Sequence, residues 1–331
     1  MATTHRIEKD SLGEYPVPAE AWYGIQTARA VDNFPISGRR PDRDFIIAHA
    51  RIKRAAAVAN SEAGWLDRKL ADAIGTAADA IINGQYLTEF VVDRFQAGAG
   101  TSHNMNSNEV IANLANVALG GKKGDTQPVH PNDHVNMGQS TNDTIPTAIR
   151  LAALAKLPRL MQAVEAMAAE FETLGQQEAN TVKSGRTHLQ DAVPTTLGRE
   201  FAAYAFTLRR CNAQLGATRS LLCDIGLGGS AVGTGLNTAP GYVECAAAEL
   251  ARLTGEPIKP AADLSAQMQS MGDLQQLSNA IRALALEVTR IANDMRLLAS
   301  GPRTGFAEIT LPAVQPGSSI MPGKVNPVMF E

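Results

Sequence analysis

The chain has 331 residues, of which 44% are hydrophobic and 19% are charged, and its formal net charge is −3. This composition is typical of a globular protein with two domains or one elongated bundle, and it gives no electrostatic basis for binding nucleic acid or an anionic membrane. No apolar run is long enough to span a bilayer, and residues 1–10 are too polar for a secretory signal. Cys211, Cys223 and Cys245 lack metal-site spacing and indicate reduced thiols, so we expect a cytoplasmic protein.

Apolar residues recur at three- and four-residue spacing along most of the chain, a pattern that predicts helices. Two helices are expected early, and a shorter helix, a polar loop and another helix follow between residues 88 and 118. Three much longer amphipathic stretches come next, and only two short extended pieces are expected. The two early helices cover residues 42–63 and 67–83, and the three long stretches cover residues 143–180, 194–222 and 265–298. The extended pieces cover residues 15–17 and 182–185.

Helices as long as the last three need partners along most of their length, because an isolated helix is marginally stable and must bury an apolar stripe. The predicted fold is therefore all-α, with a small N-terminal helical domain over residues 1–140 and a long helical bundle over residues 141–331. The last predicted helix has apolar residues on more than one face, among them Leu284, Leu286 and Ile291. That breadth predicts helix contacts between subunits as well as within one.

Four polar segments lie between or beside these helices, at residues 98–109, 130–143, 184–191 and 317–326. Serine, threonine, asparagine and aspartate favour helix caps and turns whatever the function, and we expect Asp143 to cap the helix that follows it. The hydroxyls and amides nevertheless exceed the number that caps need. Together with Arg186 and Lys324, they are suited to binding carboxylates.

The fourth segment, residues 317–326, combines two glycines, Pro322, paired serine hydroxyls, a lysine and an asparagine. Glycine permits backbone angles that other residues avoid, and proline fixes its own φ, so this composition is typical of a loop rather than a core element. The density of polar groups predicts an active-site flap that closes on a ligand.

Two further patterns suggest a zinc site and a dinucleotide site, but the residues around each pattern do not support it. His130 and His134 have the spacing of zinc ligands on a helix, yet Asn132 stands where such a motif has glutamate and Pro131 opposes a helix there. Residues 226–231 fit a GxGxxA dinucleotide pattern, but a predicted helix rather than a strand precedes them and more glycines follow. We therefore expect no organic cofactor and no metal site.

The four polar segments, taken in order, resemble those of the aspartase/fumarase superfamily, and the resemblance covers essentially the whole chain. Its most specific motif is Gly-Ser-Ser-x-Met-Pro-x-Lys-x-Asn, present at residues 317–326. Within the superfamily the sequence is more similar to the aspartate ammonia-lyase branch than to class II fumarases. The motifs that carry this distinction are Asn33-Phe34-Pro35-Ile36-Ser37-Gly38, Gly100-Thr101-Ser102-x-Asn104-Met105-Asn106, Thr187-His188-Leu189-Gln190-Asp191 and Val328-Met329.

The sequence departs from the family pattern at several positions. Gly138, His103 and Phe330 stand where aspartases usually have serine, threonine and proline. Family chains also continue past the position of Glu331, through the rest of the last bundle helix and a small C-terminal helical domain. The resemblance therefore implies a C-terminally truncated member, with an incomplete bundle and the C-terminal domain missing.

The resemblance implies reversible deamination of L-aspartate to fumarate and ammonia, by removal of a Cβ proton through an aci-carboxylate intermediate. It makes Ser318 the general base and His188 a second catalytic residue, close to the amino group with Asn142. It places Glu331 in a supporting position, since the fumarase branch pairs a glutamate there with the histidine. The implied ligands of the β-carboxylate are Thr101, Ser140, Thr141 and Ser319. Those of the α-carboxylate are Thr187, Lys324 and Asn326.

The resemblance also implies a homotetramer in which neighbouring subunits share active sites. Three alternatives remain open at this stage. The first is a class II fumarate hydratase, in which water takes the place of ammonia. The second is a serine amidase that uses Ser318 or Ser319 with Lys324. The third is a catalytically silent truncated fragment.

Overall fold

The computed structural model describes residues 4–331 and is mostly helical, which confirms the predicted all-α class. The chain separates into two compact units. One contains the described chain up to Leu157 together with Arg219–Leu274, and the other contains Pro158–Thr218 and Gln275–Glu331. The first unit is therefore discontinuous in sequence. The predicted domain division after residue 140 stays a prediction.

The first unit begins with a two-stranded antiparallel hairpin and four helices. Asp42 caps helix α2 by accepting the N–H of Asp44 at 2.9 Å, and Asp67 caps α3 by accepting that of Lys69 at 2.9 Å. The two predicted early helices are confirmed with boundaries shifted by one residue. The elements are β1 (His5–Asp10), β2 (Gly13–Pro18), α1 (Ile25–Asn33), α2 (Arg43–Glu62), α3 (Arg68–Ile82) and α4 (Thr101–Ala118).

The core of the first unit lies where α2, α3 and α4 pack together, around fully buried residues such as Ile74, Ile81 and Ile111. A 3-10 turn at Leu87–Glu89 lies between α3 and α4, and a π-helical turn at Pro131–Val135 follows α4. The unit is completed by the start of α5 (Thr141–Gln177) and by β5 (Asp224–Ile225), α7 (Tyr242–Thr254), β6 (Lys259–Pro260) and α8 (Leu264–Gln269).

The helix predicted over residues 265–298 is broken in the structure. It consists of α8 and α9 (Gly272–Leu298), which are separated by Ser270 and Met271. The buried Arg150 of α5 stabilises the break, because its guanidinium donates to the carbonyl of Ser270 at 3.0 Å and to Asp273 Oδ2 at 2.6 Å. A charged side chain in the core requires partners of this kind, and only the folded chain reveals them.

The first polar segment was predicted as a loop, and this was wrong from residue 101 onward. Helix α4 begins at Thr101, and its buried polar side chains bind the backbone of neighbouring segments. Glu109 accepts the N–H groups of Gly24, Gln26 and Thr27 at 2.8–3.0 Å. The other members of this face, Asn106, Asn113 and Asn116, likewise bind backbone groups. These four residues recur at three- and four-residue spacing, so a polar helical face was visible in the sequence.

The second unit contains the rest of α5 and α9, a hairpin of β3 (Val182–Thr187) and β4 (Gln190–Thr196), and α6 (Leu197–Leu221). Helices α5 and α6 approach closely at Gly198, where an ideal Cβ would lie 2.3 Å from the carbonyl oxygen of Gly175. Nearby, Phe171 packs against Tyr204 with ring centroids 5.4 Å apart. Within the described residues, no helix combines the length and the apolar character that a membrane crossing needs.

Candidate active site

Two helix N-termini lie side by side in the first unit. Helix α4 begins at Thr101 and α5 at Thr141, and an ideal Cβ on Gly100 would lie only 3.0 Å from Ile145 Cγ1. Gly100 has φ +85°, a conformation that favours glycine, so both the turn and the close packing need a residue without a side chain. Helix N-termini present free N–H groups and a partial positive charge, so this corner of the unit is suited to binding an anion.

Ser140 and Asp143 form a reciprocal cap at the start of α5. Ser140 Oγ accepts the N–H of Asn142 at 3.2 Å, and Asp143 Oδ1 accepts the N–H of Ser140 at 3.0 Å. The predicted capping role of Asp143 is confirmed. Because the Ser140 oxygen is used as an acceptor, its O–H hydrogen is left to donate to a ligand.

The glycine-rich segment at residues 226–231 binds the other oxygen of Asp143. The N–H groups of Gly228 and Ser230 both donate to Asp143 Oδ2 at 3.0 Å. Gly228 and Ser230 have positive φ, so successive N–H groups converge on one acceptor and form an anion-binding nest. The segment follows the two-residue strand β5 rather than a long helix, and its nest is filled by a carboxylate of the protein itself. Burial raises the pKa of Asp143 to about 6.

Lys53 of α2 lies behind the two helix N-termini and is fully buried. Its ammonium donates to the side-chain oxygens of Asn104 at 2.7 Å, Asn136 at 2.9 Å and Gln139 at 2.9 Å. Three donors therefore meet three acceptors, so each ammonium hydrogen has a partner. Burial lowers the pKa of Lys53 to about 7. This contact set, the Lys53 cluster, connects α2 and α4 to the turn that leads into α5.

A cavity of about 800 Å³ opens beside the paired helix N-termini. Thr141, Asn142, Asp42, Arg94 and Gln96 contribute polar or charged groups to its wall, and most of the other lining residues are apolar. His103 also lines it, although the side chain is buried and neither ring nitrogen has a partner within the described residues. A second cavity of the same unit, of about 550 Å³, shares only Phe34 with the first and is lined by none of the predicted site residues.

Thr187 and His188 lie at the tip of the β3–β4 hairpin in the second unit, which confirms the extended segment predicted at residues 182–185. Both residues are exposed. His188 and Leu189 have φ of +52° and +62°, in the left-handed region that non-glycine residues rarely adopt. Each such residue costs about 1–3 kcal/mol, so the rest of the hairpin must stabilise this conformation.

The fourth polar segment, which we call the signature loop (residues 317–326), is closed by its own hydrogen bonds. The N–H of Gly317 donates to the carbonyl of Lys324 at 3.1 Å, and Asn326 Nδ2 donates to the carbonyl of Gly317 at 2.8 Å. Ser318 Oγ accepts the N–H of Met321 at 3.1 Å. A backbone donor on this oxygen favours its deprotonated form, which is the form that a general base requires.

The predicted site residues are thus divided between the two units. Thr101, Ser140, Thr141 and Asn142 lie together at the paired helix N-termini of the first unit. The second unit holds two separate groups, the hairpin tip and the signature loop. In the signature loop Ser319 and Lys324 are exposed, and Glu331 is exposed after it.

Three polar side chains singled out in the sequence have internal partners. His130 Nδ1 accepts the N–H of Asp133 at 3.1 Å, and His134 Nδ1 accepts that of His130 at 2.8 Å, so both rings stabilise the π-helical turn. The guanidinium of Arg186 contacts the carboxylate of Glu308. Arg186 therefore already binds a carboxylate of its own chain.

Sequence reasoning missed Lys53 and Glu308. Lys53 offers one signal, a charged residue within the alanine-rich stretch that α2 buries. Such a residue needs internal partners, and the asparagines of the first two polar segments were the available ones. Glu308 has no comparable signal, since its partners on β3 are more than a hundred residues away.

The model of a protein family described as "Lyase" matches residues 13–331. The chain belongs to the aspartase/fumarase superfamily. Among its relatives, an aspartate ammonia-lyase from a Bacillus species is 48% identical, and the match covers 100% of this chain and 71% of that protein. A class II fumarate hydratase from Ralstonia nicotianae is 47% identical, with 99% and 71% covered.

Solved structures of this superfamily have the same fold. A Brucella melitensis protein described as fumarate lyase:delta crystallin and bound to cobalt is 49% identical with a TM-score of 0.96, over 99% of this chain and 72% of that one. A class II fumarase from Schistosoma mansoni is 37% identical, also with a TM-score of 0.96, over 99% and 72%. This chain therefore spans about 70% of the length of its relatives.

Proposed function

We propose that this protein is an aspartate ammonia-lyase, which converts L-aspartate reversibly to fumarate and ammonia. The paired N-termini of α4 and α5 are the observation that carries the proposal. In our proposal the hydroxyls of Thr101, Ser140 and Thr141, which lie at or next to these N-termini, bind the anion. Relatives that bear the name aspartate ammonia-lyase, at 45–50% identity, support the choice of reaction.

The difficult step is the removal of a proton from the carbon next to the β-carboxylate, because the resulting carbanion survives only as a dianionic aci-carboxylate. In our proposal the hydroxyls of Thr101, Ser140, Thr141 and Ser319 donate to that carboxylate. Donors that are already oriented strengthen as the second negative charge develops, and they therefore stabilise the transition state more than the substrate. The caps and the Lys53 cluster provide that orientation.

Ser318 is the general base in this proposal. A serine oxygen is a poor base unless its alkoxide is stabilised, and the Met321 N–H that it accepts supplies part of that stabilisation. The charge of Lys324, in the same loop, adds to it. Lys324, Asn326 and Thr187 bind the α-carboxylate. His188 and Asn142 bind close to the amino group, and the chemistry requires no organic cofactor.

The proposal includes a homotetramer whose neighbouring subunits contribute to each site. Two features of the second unit support it. Phe206 of α6 is 65% exposed and Leu286 of α9 is 62% exposed, so both long helices have apolar side chains without cover in the single chain. The proposal also includes a cytoplasmic location, which rests on the free thiols of Cys211, Cys223 and Cys245.

The test is to incubate the purified protein with fumarate, with and without ammonium, and to follow the ultraviolet absorbance of fumarate. We expect loss of fumarate only with ammonium, and formation of aspartate in equal amount. Loss of fumarate without ammonium, with malate as the product, would reject the lyase proposal. It would favour a class II fumarate hydratase, the alternative supported by the Ralstonia relative. No turnover under either condition would indicate a catalytically silent chain.

A further inference from the structure

Glu308 lies between two cations of the same strand. Its carboxylate contacts the ammonium of Lys183 and the guanidinium of Arg186, and both residues belong to β3. Lys183 has a second partner, Glu200 at the start of α6, at 2.8 Å. The side chains of Lys183 and Glu308 are only 9% and 19% exposed, so the contact is largely shielded from water. Its cationic partners hold the pKa of Glu308 below its usual range.

An irregularity in β3 is what allows both cations to reach Glu308. Side chains alternate between the faces of a strand, so residues 183 and 186 would normally point in opposite directions. The register of β3 on β4 shifts between Ser184 and Arg186, and this shift brings Lys183 and Arg186 to the same carboxylate. Gly185 permits the shift, because a Cβ there would lie 2.8 Å from the carbonyl oxygen of Val193.

Glu308 is also fixed at the end of α9. Its N–H donates to the carbonyl of Leu298 at 2.9 Å, and the N–H of Ala307 donates to that of Ser300 at 2.9 Å. The guanidinium of Arg186 stacks on the ring of Phe306, 4.1 Å from its centroid. The chain therefore folds back over the C-terminus of α9 and contacts β3 ten residues before Ser318, at the point from which the signature loop extends.

We propose that Glu308 is a positioning residue that joins two parts of the candidate site. Through Arg186 it orients Thr187 and His188 in the strained hairpin tip, and through the backbone it fixes the origin of the segment that holds Ser318. This inference rests on the proposed function for its consequence in catalysis. The clamp itself, formed by Lys183, Arg186 and Glu308, is a contact set that can be tested without turnover.

The experiment compares Glu308→Gln with Glu200→Gln. Both variants remove one carboxylate partner of Lys183 and keep the side-chain shape, but only Glu308 contacts Arg186 and precedes the signature loop. For Glu308→Gln we expect kcat/KM for aspartate to fall by about tenfold to a hundredfold, with a rise in KM as well as a fall in kcat, because both ends of the substrate lose positioned groups. For Glu200→Gln we expect kinetics within about twofold of the unsubstituted protein.

Hydrogen exchange measured without substrate is the second readout. In Glu308→Gln, we expect amides of residues 186–191 and 309–317 to exchange at least about tenfold faster, whereas Glu200→Gln leaves them unchanged. Equal behaviour of the two variants in both measurements would overturn the proposal. If Glu308→Gln does not fold, Arg186→Lys breaks the same contact while it keeps the charge, and the same outcomes apply.

The two readouts separate the possible failures. If the unsubstituted protein does not deaminate aspartate, the proposed function fails and hydrogen exchange still decides whether the clamp exists. If the unsubstituted protein is active and Glu308→Gln matches it in rate and exchange, the proposed function stands and the role of Glu308 is rejected.

Discussion

In the signature loop, single side chains both close the loop and serve the proposed chemistry. Asn326 donates one amide hydrogen to Gly317 and keeps the other for a ligand, while Ser318 accepts a backbone N–H and keeps its own hydroxyl hydrogen. The chemical types of these residues could be predicted from the sequence. Their hydrogen bonds could not, because each depends on how the loop folds back on itself.

At Ser318, substitution by alanine should lower kcat for aspartate by roughly 10²–10⁴ if this residue is the general base, as proposed. The comparison variant is Ser319→Ala, one residue further on, which should lower kcat by a smaller factor, because it removes one of four proposed donors to the aci-carboxylate and leaves the proposed base in place. Steady-state kinetics together with circular dichroism melting test this pair. A Ser318→Ala protein with ordinary turnover and an unchanged melting temperature would exclude Ser318 as the base.

His103 makes stability depend on pH. The centroid of its ring lies 4.7 Å from the ring centroid of Phe45 and 5.0 Å from that of His49. Burial lowers the pKa of His103 to about 3. The unfolded chain binds a proton at His103 below about pH 6.5, whereas the folded chain does so only near pH 3. Above pH 6.5, protonation of His103 therefore does not reduce the free energy of unfolding. Below pH 6.5 the free energy of unfolding falls, by at most about 1.4 kcal/mol per pH unit.

The measurement is denaturant unfolding at several pH values between 5 and 7.5. His103→Leu should make the unfolding free energy less dependent on pH. A different dependence should remain, because burial also lowers the pKa of His49 and raises that of Asp143, and these two shifts act on stability in opposite directions. His5→Leu, at an exposed histidine of β1, is the matched control and should keep the original slope. An identical slope in the protein and in His103→Leu would contradict the assignment.

At the scale of elements, long helices were the most predictable feature, because their apolar spacing persists over many turns. Helix α6, predicted over residues 194–222, runs from Leu197 to Leu221, and the predicted end of α9 at residue 298 is also observed. The break before α9 was not predictable, since it depends on Arg150 of a helix more than a hundred residues earlier. The polar face of α4 misled the prediction for a different reason. Asparagine-rich sequence normally indicates a loop, whereas here the amides bind backbone groups of surrounding segments.

The Lys53 cluster should determine how firmly the starts of α4 and α5 are held. Lys53→Met keeps most of the side-chain volume but leaves the side-chain oxygens of Asn104 and Gln139 without a donor, whereas Asn136 Oδ1 still accepts from Asn104 Nδ2. The free energy of unfolding should therefore fall by on the order of 3 kcal/mol. The same substitution at the exposed Lys69 of α3 should change it by less than about 0.5 kcal/mol. Thermal and urea unfolding measure both, and equal stability of the two variants would show that the cluster contributes little.

At the scale of the whole molecule, the predicted site residues belong to two compact units, and the proposed homotetramer assigns their convergence to neighbouring subunits. The choice of these residues comes from the resemblance of the sequence motifs and stays a prediction. Periodicity and composition could not predict how these groups would meet, because in the proposed homotetramer they meet only across subunits.

A complementation experiment tests this convergence. Thr141→Ala and Ser318→Ala chains, each nearly inactive alone, should regain activity when they are co-expressed with different tags and purified as mixed oligomers. If the two residues of one site come from different subunits, about a quarter of the sites in an equal mixture will have both intact residues. Mixed oligomers that stay inactive would show that each site takes both residues from one chain.

The discontinuous first unit has a consequence for synthesis on the ribosome. The carboxylate of Asp143 acquires its Gly228 and Ser230 partners only after about 90 further residues have been translated. Helix α2 waits longer for its neighbour α7, which begins 180 residues after α2 ends. Until these partners are synthesised, the carboxylate of Asp143 and the apolar face of α2 are exposed to water in the nascent chain. We expect ribosome-bound chains that end before residue 219 to bind chaperones more strongly than chains that extend beyond residue 274.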